Sequence, residues 1–209
     1  MIITIANQKG GTSKTTSTAF LLHALWAAGY NVVALDADPQ GSLRRWADYG
    51  SWSLKVEPWH PARPGHLASH GWWTVIDTPP TDDALGLVQA AVRVSDVVLM
   101  PVAPTSMEYE RTHALQALIT QHAPNAVAAA LMVRAVTGAV STAFYRRALT
   151  EDGWRVLRTT VGRRESFAQA FGQPIIRAEA GPYGDVVAEL TDAPDSQQSD
   201  LPTFLEAAR

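Results

Sequence analysis

The stretch Ile2-Ile3-Thr4-Ile5-Ala6-Asn7-Gln8-Lys9-Gly10-Gly11-Thr12-Ser13-Lys14-Thr15-Thr16 decides the fold. An apolar run of strand type leads into paired glycines, and an apolar stretch with helical spacing follows. Strand, glycine turn and helix together form the setting in which a loop holds a phosphate chain. Adjacent glycines let the backbone curl so that successive N–H groups point inward. The helix that follows adds the positive end of its dipole. Lys14 then stands where it meets the outer phosphates, and the Thr15 hydroxyl where it meets Mg²⁺. The pattern is a variant, with an extra lysine at Lys9. In the common form of this loop, glycines would stand at Gln8 and Ser13. An ordinary turn capped by Thr12 or Ser13 accounts for the glycines but not for two flanking lysines.

Two further segments point to the same place. Val32-Val33-Ala34-Leu35 is a continuous apolar run ending in Asp36-Ala37-Asp38-Pro39-Gln40, and Trp73-Thr74-Val75-Ile76 ends in Asp77-Thr78-Pro79-Pro80. Continuous apolar runs mark buried parallel strands. In an open parallel sheet, ligands bind beyond the carboxyl ends of the strands. Asp77 is therefore a candidate to act on Mg²⁺ through water, and Asp38 a candidate to orient water at a γ-phosphate. A single strand-end Asp would more simply cap a turn. Three of them beside a phosphate loop favour the site.

These three segments, with Gly162-Arg163-Arg164-Glu165-Ser166-Phe167-Ala168-Gln169-Ala170, resemble the deviant-Walker-A ATPases of the ParA/MinD group, and most of all the small ParA-type partition ATPases. The resemblance runs from Met1 to about Ile175. It implies an α/β fold of P-loop NTPase type, with three αβα layers around a mostly parallel sheet. It implies ATP and Mg²⁺ as cofactors, held by residues 9–16 with Asp77, the metal being served by Thr15, Asp38 and Asp77. Lys9 corresponds to the signature lysine that crosses a nucleotide-sandwich homodimer, Lys14 to the loop lysine, Asp38 to the water-activating carboxylate and Asp77 to the second-switch aspartate. Lys9, Lys14 and Asp38 thus form the implied catalytic set. The implied function is ATP-driven dimerisation, binding of DNA without sequence preference, and slow hydrolysis stimulated by a centromere-binding adaptor of ParB or ParG type. The implied location is cytoplasmic, on the nucleoid in the ATP state. Two positions depart from the pattern. Ser13 replaces a common glycine, which is compatible if its backbone is helical, and Arg134 stands where some relatives carry a base-binding Asn.

The remaining chain sets bounds. With 209 residues it suits one sizeable core. The expected division is one domain over 1–190, then a polar linker and short end helix over 191–209. No run reaches the ~18 apolar residues of a membrane helix, so no membrane partner is expected. Cysteine is absent, which excludes disulfides and cysteine-held iron–sulfur clusters. Net charge is −3, so any attraction to DNA must be local. Arginines gather late, at Arg134, Arg146, Arg147, Arg155, Arg158, Arg163, Arg164 and Arg177. They form either a DNA-facing surface or solvated helix faces with local ion pairs.

Strands are expected at 2–6, 32–36, 73–77, 97–102, 128–133 and near 155–158. Helices are expected at 14–28, 106–122, 142–152 and 166–171. Residues 42–70 carry Trp46, Trp52, Trp59 and three prolines, and no element is assigned there; packing of these rings onto the sheet is favoured over stacking on a base. His60, His66 and His70 raise the question of a metal, but His66 and His70, four apart, have no acidic residue between them and no obvious third ligand. Two other functions remain as alternatives. An ATP-dependent small-molecule ligase or kinase would need a second substrate pocket. A MinD-like positioning ATPase would need a basic amphipathic end helix.

Overall fold

The computed structural model describes residues 1–62 and 71–191. Seven strands form one sheet: β1 (Ile2–Ile5), β2 (Asn31–Asp36), β3 (Val56–Pro58), β4 (Trp72–Asp77), β5 (Val97–Val102), β6 (Val127–Ala135) and β7 (Arg155–Gly162). Their order is β3-β2-β4-β1-β5-β6-β7, and every pairing is parallel. Among the described residues, eight α-helices connect or follow them: α1 (Lys14–Ala27), α2 (Ser42–Tyr49), α3 (Leu85–Arg93), α4 (Ser106–Glu110), α5 (Thr112–His122), α6 (Val140–Glu151), α7 (Glu165–Ala168) and α8 (Pro182–Thr191).

Alternate residues of a strand face opposite sides of a sheet, and here both sides are apolar. Val97 and Leu99 of β5 join the core under α1, α2 and α8, whereas Val98, Met100 and Val102 join the core under α3 and α5. Ala129, Leu131 and Val133 of β6 divide from Ala130 and Met132 in the same way. This two-sided burial explains the unbroken apolar runs, and the result is the three-layer α/β fold expected of a P-loop protein.

Register places the chemistry. Ile5 pairs with Asp77, and Asp36 also pairs with Asp77. The ends of β1, β2 and β4 therefore lie side by side on one edge. Gly29 takes φ 88 just past α1 and stops it, as a residue without a Cβ readily does.

Residues 42–62 do contain elements. Helix α2 buries Leu43, Trp46 and Ala47, and β3 pairs with β2 at the sheet margin. The helix is marked by its apolar spacing of three and four, which the nearby prolines and Trp residues obscured. Trp46 is 1% exposed, and its indole N–H donates to the Gln173 carbonyl at 3.0 Å. Trp59 is buried as well. These rings pack; they do not wait for a base. Helices α3 and α8 were also unassigned. Pro182 opens α8, where a first-turn proline loses no hydrogen bond. The single helix expected over 106–122 is two. The Thr112 hydroxyl takes the Tyr109 carbonyl at 2.7 Å and competes with the helical pattern at the junction. The polar tail from 192 onward, together with His66 and His70, lies outside the described residues. Among the described residues no helix is long and apolar enough to cross a membrane, and no cluster of three metal-ligating side chains occurs.

Candidate functional site

The loop between β1 and α1 spans residues 6–13. The first helical bond of α1 runs from the Ser17 N–H to the Ser13 carbonyl at 2.8 Å. Among the described residues, the amides of Gly10 to Thr16 have no protein acceptor. A run of unpaired N–H groups at a helix start is an anion cradle. Gly11 and Ser13 both take positive φ, 73 and 69. Ser13 does not meet the condition of a helical backbone: it adopts the left-handed conformation that glycine takes without strain, at a cost of about 1 kcal/mol. Its side chain makes no cap bond. The Thr12 hydroxyl instead donates to the Lys9 carbonyl at 3.2 Å, bracing the turn.

Lys14 is buried, and its ammonium donates to the Lys9 carbonyl at 2.7 Å. Burial pulls its pKa down; Asp77, Asp38, Asp83 and Glu108 oppose that pull. Lys9 has an exposed position and no partner for its ammonium among the described residues. The two lysines are therefore not equivalent. One is built into the loop, and the other reaches outward.

Asp77 ends β4 with no exposed surface. It accepts from the Thr15 hydroxyl at 2.8 Å and from the Thr18 hydroxyl at 2.9 Å. Burial raises its carboxyl to about 7, against the lowering effect of both hydroxyls. Thr18 is a site residue that the sequence reading missed. Its signal was present: it lies four residues after Lys14, whose carbonyl it also takes, so it sits above the loop on the same helix face.

Asp36 and Asp38 play different parts. Asp36 is 2% exposed and accepts from the N–H groups of Asp38 at 3.0 Å and Arg44 at 3.1 Å. The Arg44 guanidinium stands 3.6 Å away. Burial raises the Asp36 pKa, while those two amides lower it. Asp36 thus fixes the turn that carries Asp38. Asp38 is half-buried and uses one oxygen to accept from the Gln40 N–H at 2.8 Å. The turn-capping role weighed against the functional one is therefore real here, and it engages Oδ1.

A cleft of about 770 Å³ opens beside the loop, with Ser13, Thr16, Thr105, Glu108, Arg134 and Tyr183 in its walls. Arg134 reaches across it to the Gly11 carbonyl at 3.0 Å and to Glu108 at 3.0 Å. The late arginines do not form one free basic face. Arg146 donates to the carbonyls of Leu157 and Arg158 and to the Thr160 hydroxyl, Arg147 pairs with Glu151 at 2.7 Å, and Arg158 stands 3.7 Å from Glu189. Arg163, Arg164 and Arg177 remain exposed.

The residues fit a nucleotide and its metal. Free amides and Lys14 suit phosphates, and the Thr15–Asp77 pair offers oxygen donors of the kind Mg²⁺ takes. A phosphate cradle at the carboxyl edge of a seven-strand parallel sheet defines a P-loop nucleotide-binding fold. The chain belongs to the CobQ/CobB/MinD/ParA nucleotide binding domain family, whose profile matches residues 3–175; this is a family of P-loop ATPases.

Among curated relatives, the maintenance of carboxysome distribution protein A of Halothiobacillus neapolitanus is 28% identical over 208 residues, covering 90% of this chain and 91% of that protein. The protein of the same name from Gloeobacter kilaueensis is 37% identical over 112 residues, and the match spans 51% of this chain and 51% of that relative, about half its length. A plasmid partition protein of Borrelia burgdorferi bound to AMPPNP superposes with a TM-score of 0.68 at 18% identity, over 89% of this chain and 96% of that one. That structural likeness speaks to the fold.

Proposed function

We propose that this protein is an ATP-operated partition or positioning ATPase: it binds Mg²⁺-ATP at residues 9–16, closes as a face-to-face homodimer, holds DNA without sequence preference, and is released when an adaptor stimulates hydrolysis. The observation that carries the reading is the unequal pair of lysines on one loop. Lys14 is folded into the cradle, whereas Lys9 is outward and unpaired among the described residues. A cation left free beside a phosphate site is placed to serve a second subunit's nucleotide. Contacts that exist only in the dimer make ATP a population switch.

In this reading Thr15, through its hydroxyl, and Asp77, through water, would hold Mg²⁺, while Thr18 holds the second oxygen of Asp77. Asp38 orients the attacking water with Oδ2, the oxygen its turn does not use. Mg²⁺ would supply neutralisation of phosphate charge; the chain supplies position. DNA contact falls to the exposed arginines Arg163, Arg164 and Arg177, since Arg146, Arg147 and Arg158 are engaged within the chain. The similarity to carboxysome-distribution proteins favours a large protein or DNA cargo moved over the nucleoid rather than a small substrate.

Light scattering with Mg²⁺-ATP tests the switch. The wild-type protein is expected to double in mass, and Lys9→Ala to remain monomeric while still binding ATP. Retention on DNA-coated beads only with ATP supports partition or positioning. Turnover of a small acid with no response to DNA supports the ligase alternative.

A further inference from the structure

Strand β6 ends irregularly. Val133 pairs with Val161 and Ala135 with Gly162, so β6 carries one residue more than β7 across this step. The extra residue is Arg134, with φ 54. A bulge with a left-handed residue re-aims a side chain, and such strain persists where the surroundings over-determine it. Here the guanidinium is turned back over the phosphate loop, 123 residues away in sequence, and its two terminal nitrogens are divided between the Gly11 carbonyl and Glu108. Glu108 lies mostly buried at 15% side-chain exposure; its Oε1 takes Arg134, and its Oε2 has no partner among the described residues.

In a trans peptide the C=O and the N–H point in opposite directions. Fixing the Gly11 carbonyl toward Arg134 therefore fixes the Thr12 N–H away from it. Thr12 is 1% exposed, and its N–H is one of the loop amides without an acceptor among the described residues. Gly11, free of a Cβ and at φ 73, is the loop residue best able to flip this peptide. Without the pin, that flip would turn a carbonyl toward the phosphates in place of an N–H. We propose that Arg134, braced by Glu108, is a positioning residue that locks the Gly11–Thr12 peptide in its anion-binding orientation, so that the cradle is preorganised before a phosphate chain arrives. This deepens the nucleotide reading above and rests on it. It makes the loop's geometry depend on a strand end on the far half of the sheet.

The test compares ATP with inorganic tripolyphosphate, both with Mg²⁺, by calorimetry. Asparagine tolerates a left-handed backbone, so Arg134→Asn is the primary variant. Loss of one charge-assisted bond predicts about tenfold weaker binding of both ligands, by the same factor. Arg134→Lys restores the charge but not the two-way fork, and is expected to recover less than half of the loss on a logarithmic scale. Glu108→Gln keeps an acceptor and is expected to weaken both ligands about two- to threefold. Each variant is first checked for an unchanged melting temperature; Glu108→Gln, which leaves the bulge residue in place, decides the matter if Arg134→Asn melts early. Unchanged tripolyphosphate affinity in both Arg134→Asn and Glu108→Gln overturns the proposal. So does weakening of ATP alone, which would place Arg134 on the nucleoside, and so does full recovery by Arg134→Lys, which would assign the effect to charge. If the wild-type protein binds neither ligand, the nucleotide reading itself falls.

Discussion

The two halves of the sheet do different work. On one half, β1, β2 and β4 end in short polar segments whose neighbours in sequence complete the site: residues 9–16 after β1, Asp36 to Gln40 after β2, Asp77 after β4. On the other half, β6 and β7 end in bulges and are held by side chains from distant helices. Between Ala130 and Met132 the register slips, and β7 runs through Leu157 to Thr159 without regular partners. Arg146 of α6 fills the carbonyl side of that irregularity. Glu189 of α8 fills the amide side, accepting from the N–H groups of Arg158 at 2.7 Å and Thr159 at 2.6 Å. The first half is local chemistry on a regular frame. The second is an irregular frame stitched by long-range contacts, and its product is the placement of Arg134 and of the exposed pair Arg163 and Arg164.

If that division is sound, loss of a loop lysine on the first half removes binding, and loss of the contacts that stitch β7 on the second removes stability. The largest effect is expected for Lys14→Ala. It deletes the one buried ammonium in the cradle, and ATP affinity should fall at least about hundredfold by calorimetry, with the fold intact by circular dichroism. Retained affinity would break the comparison on its stronger side.

Asp77→Asn comes next, and it is read through pH in the protein free of nucleotide and Mg²⁺. The folded carboxyl lies at about 7, above the ordinary 3.8. Its contribution is therefore fully present below the ordinary value and is lost as pH rises through about 7. Chemical unfolding should show the wild type losing on the order of a few kcal/mol from this group between pH 4 and pH 8. The variant, with no charge to bury, should lose much less over that range. Asp36, raised in the same direction, and His23, whose pKa burial lowers, remain in both proteins, so the difference between them reports Asp77 together with its charge coupling to Asp36 and Lys14. Equal slopes would remove the buried carboxylate from the account.

On the second half, Glu189→Ala is expected to destabilise by about 1–3 kcal/mol, because two strand amides lose their acceptor. Its effect on ATP affinity should be under about threefold, checked by the same calorimetry. The smallest effect is expected for Arg147→Ala. Its pair with Glu151 is a surface i,i+4 contact with both side chains well exposed, so the urea unfolding midpoint should not move measurably. A larger change at Arg147 than at Glu189 would invert the comparison.

The same contrast accounts for what could be read from the chain. Five of the seven strands were legible because two-sided burial makes each a largely apolar run; the sixth, β7, showed only at 155–158, since Arg155, Arg158, Thr159 and Thr160 interrupt it. The phosphate loop was legible because its function depends on backbone geometry that only a local glycine pattern supplies. Three residues were not. Thr18 has the spacing, but its role comes from Asp77, 59 residues away, which only the fold brings to it. Glu108 is an ordinary helix-surface acid until α4 is folded against the end of β6. Ser13 takes a conformation that its side chain disfavours, and its one signal was that the common form of the loop has glycine there. Strand β3 has only three residues, so it has too little sequence to show a period.

The sequence by itself determined a parallel α/β sheet and a loop made to hold phosphates, because hydrophobic period and glycine placement act between near neighbours in the chain. Tertiary structure alone decided that Lys14 turns inward and Lys9 outward, that Asp77 is buried against two hydroxyls, and that Arg134 is bent back from a strand end onto Gly11. Those outcomes depend on which strand lies beside which, and on charges brought together across tens of residues, so burial and register set them rather than local preference.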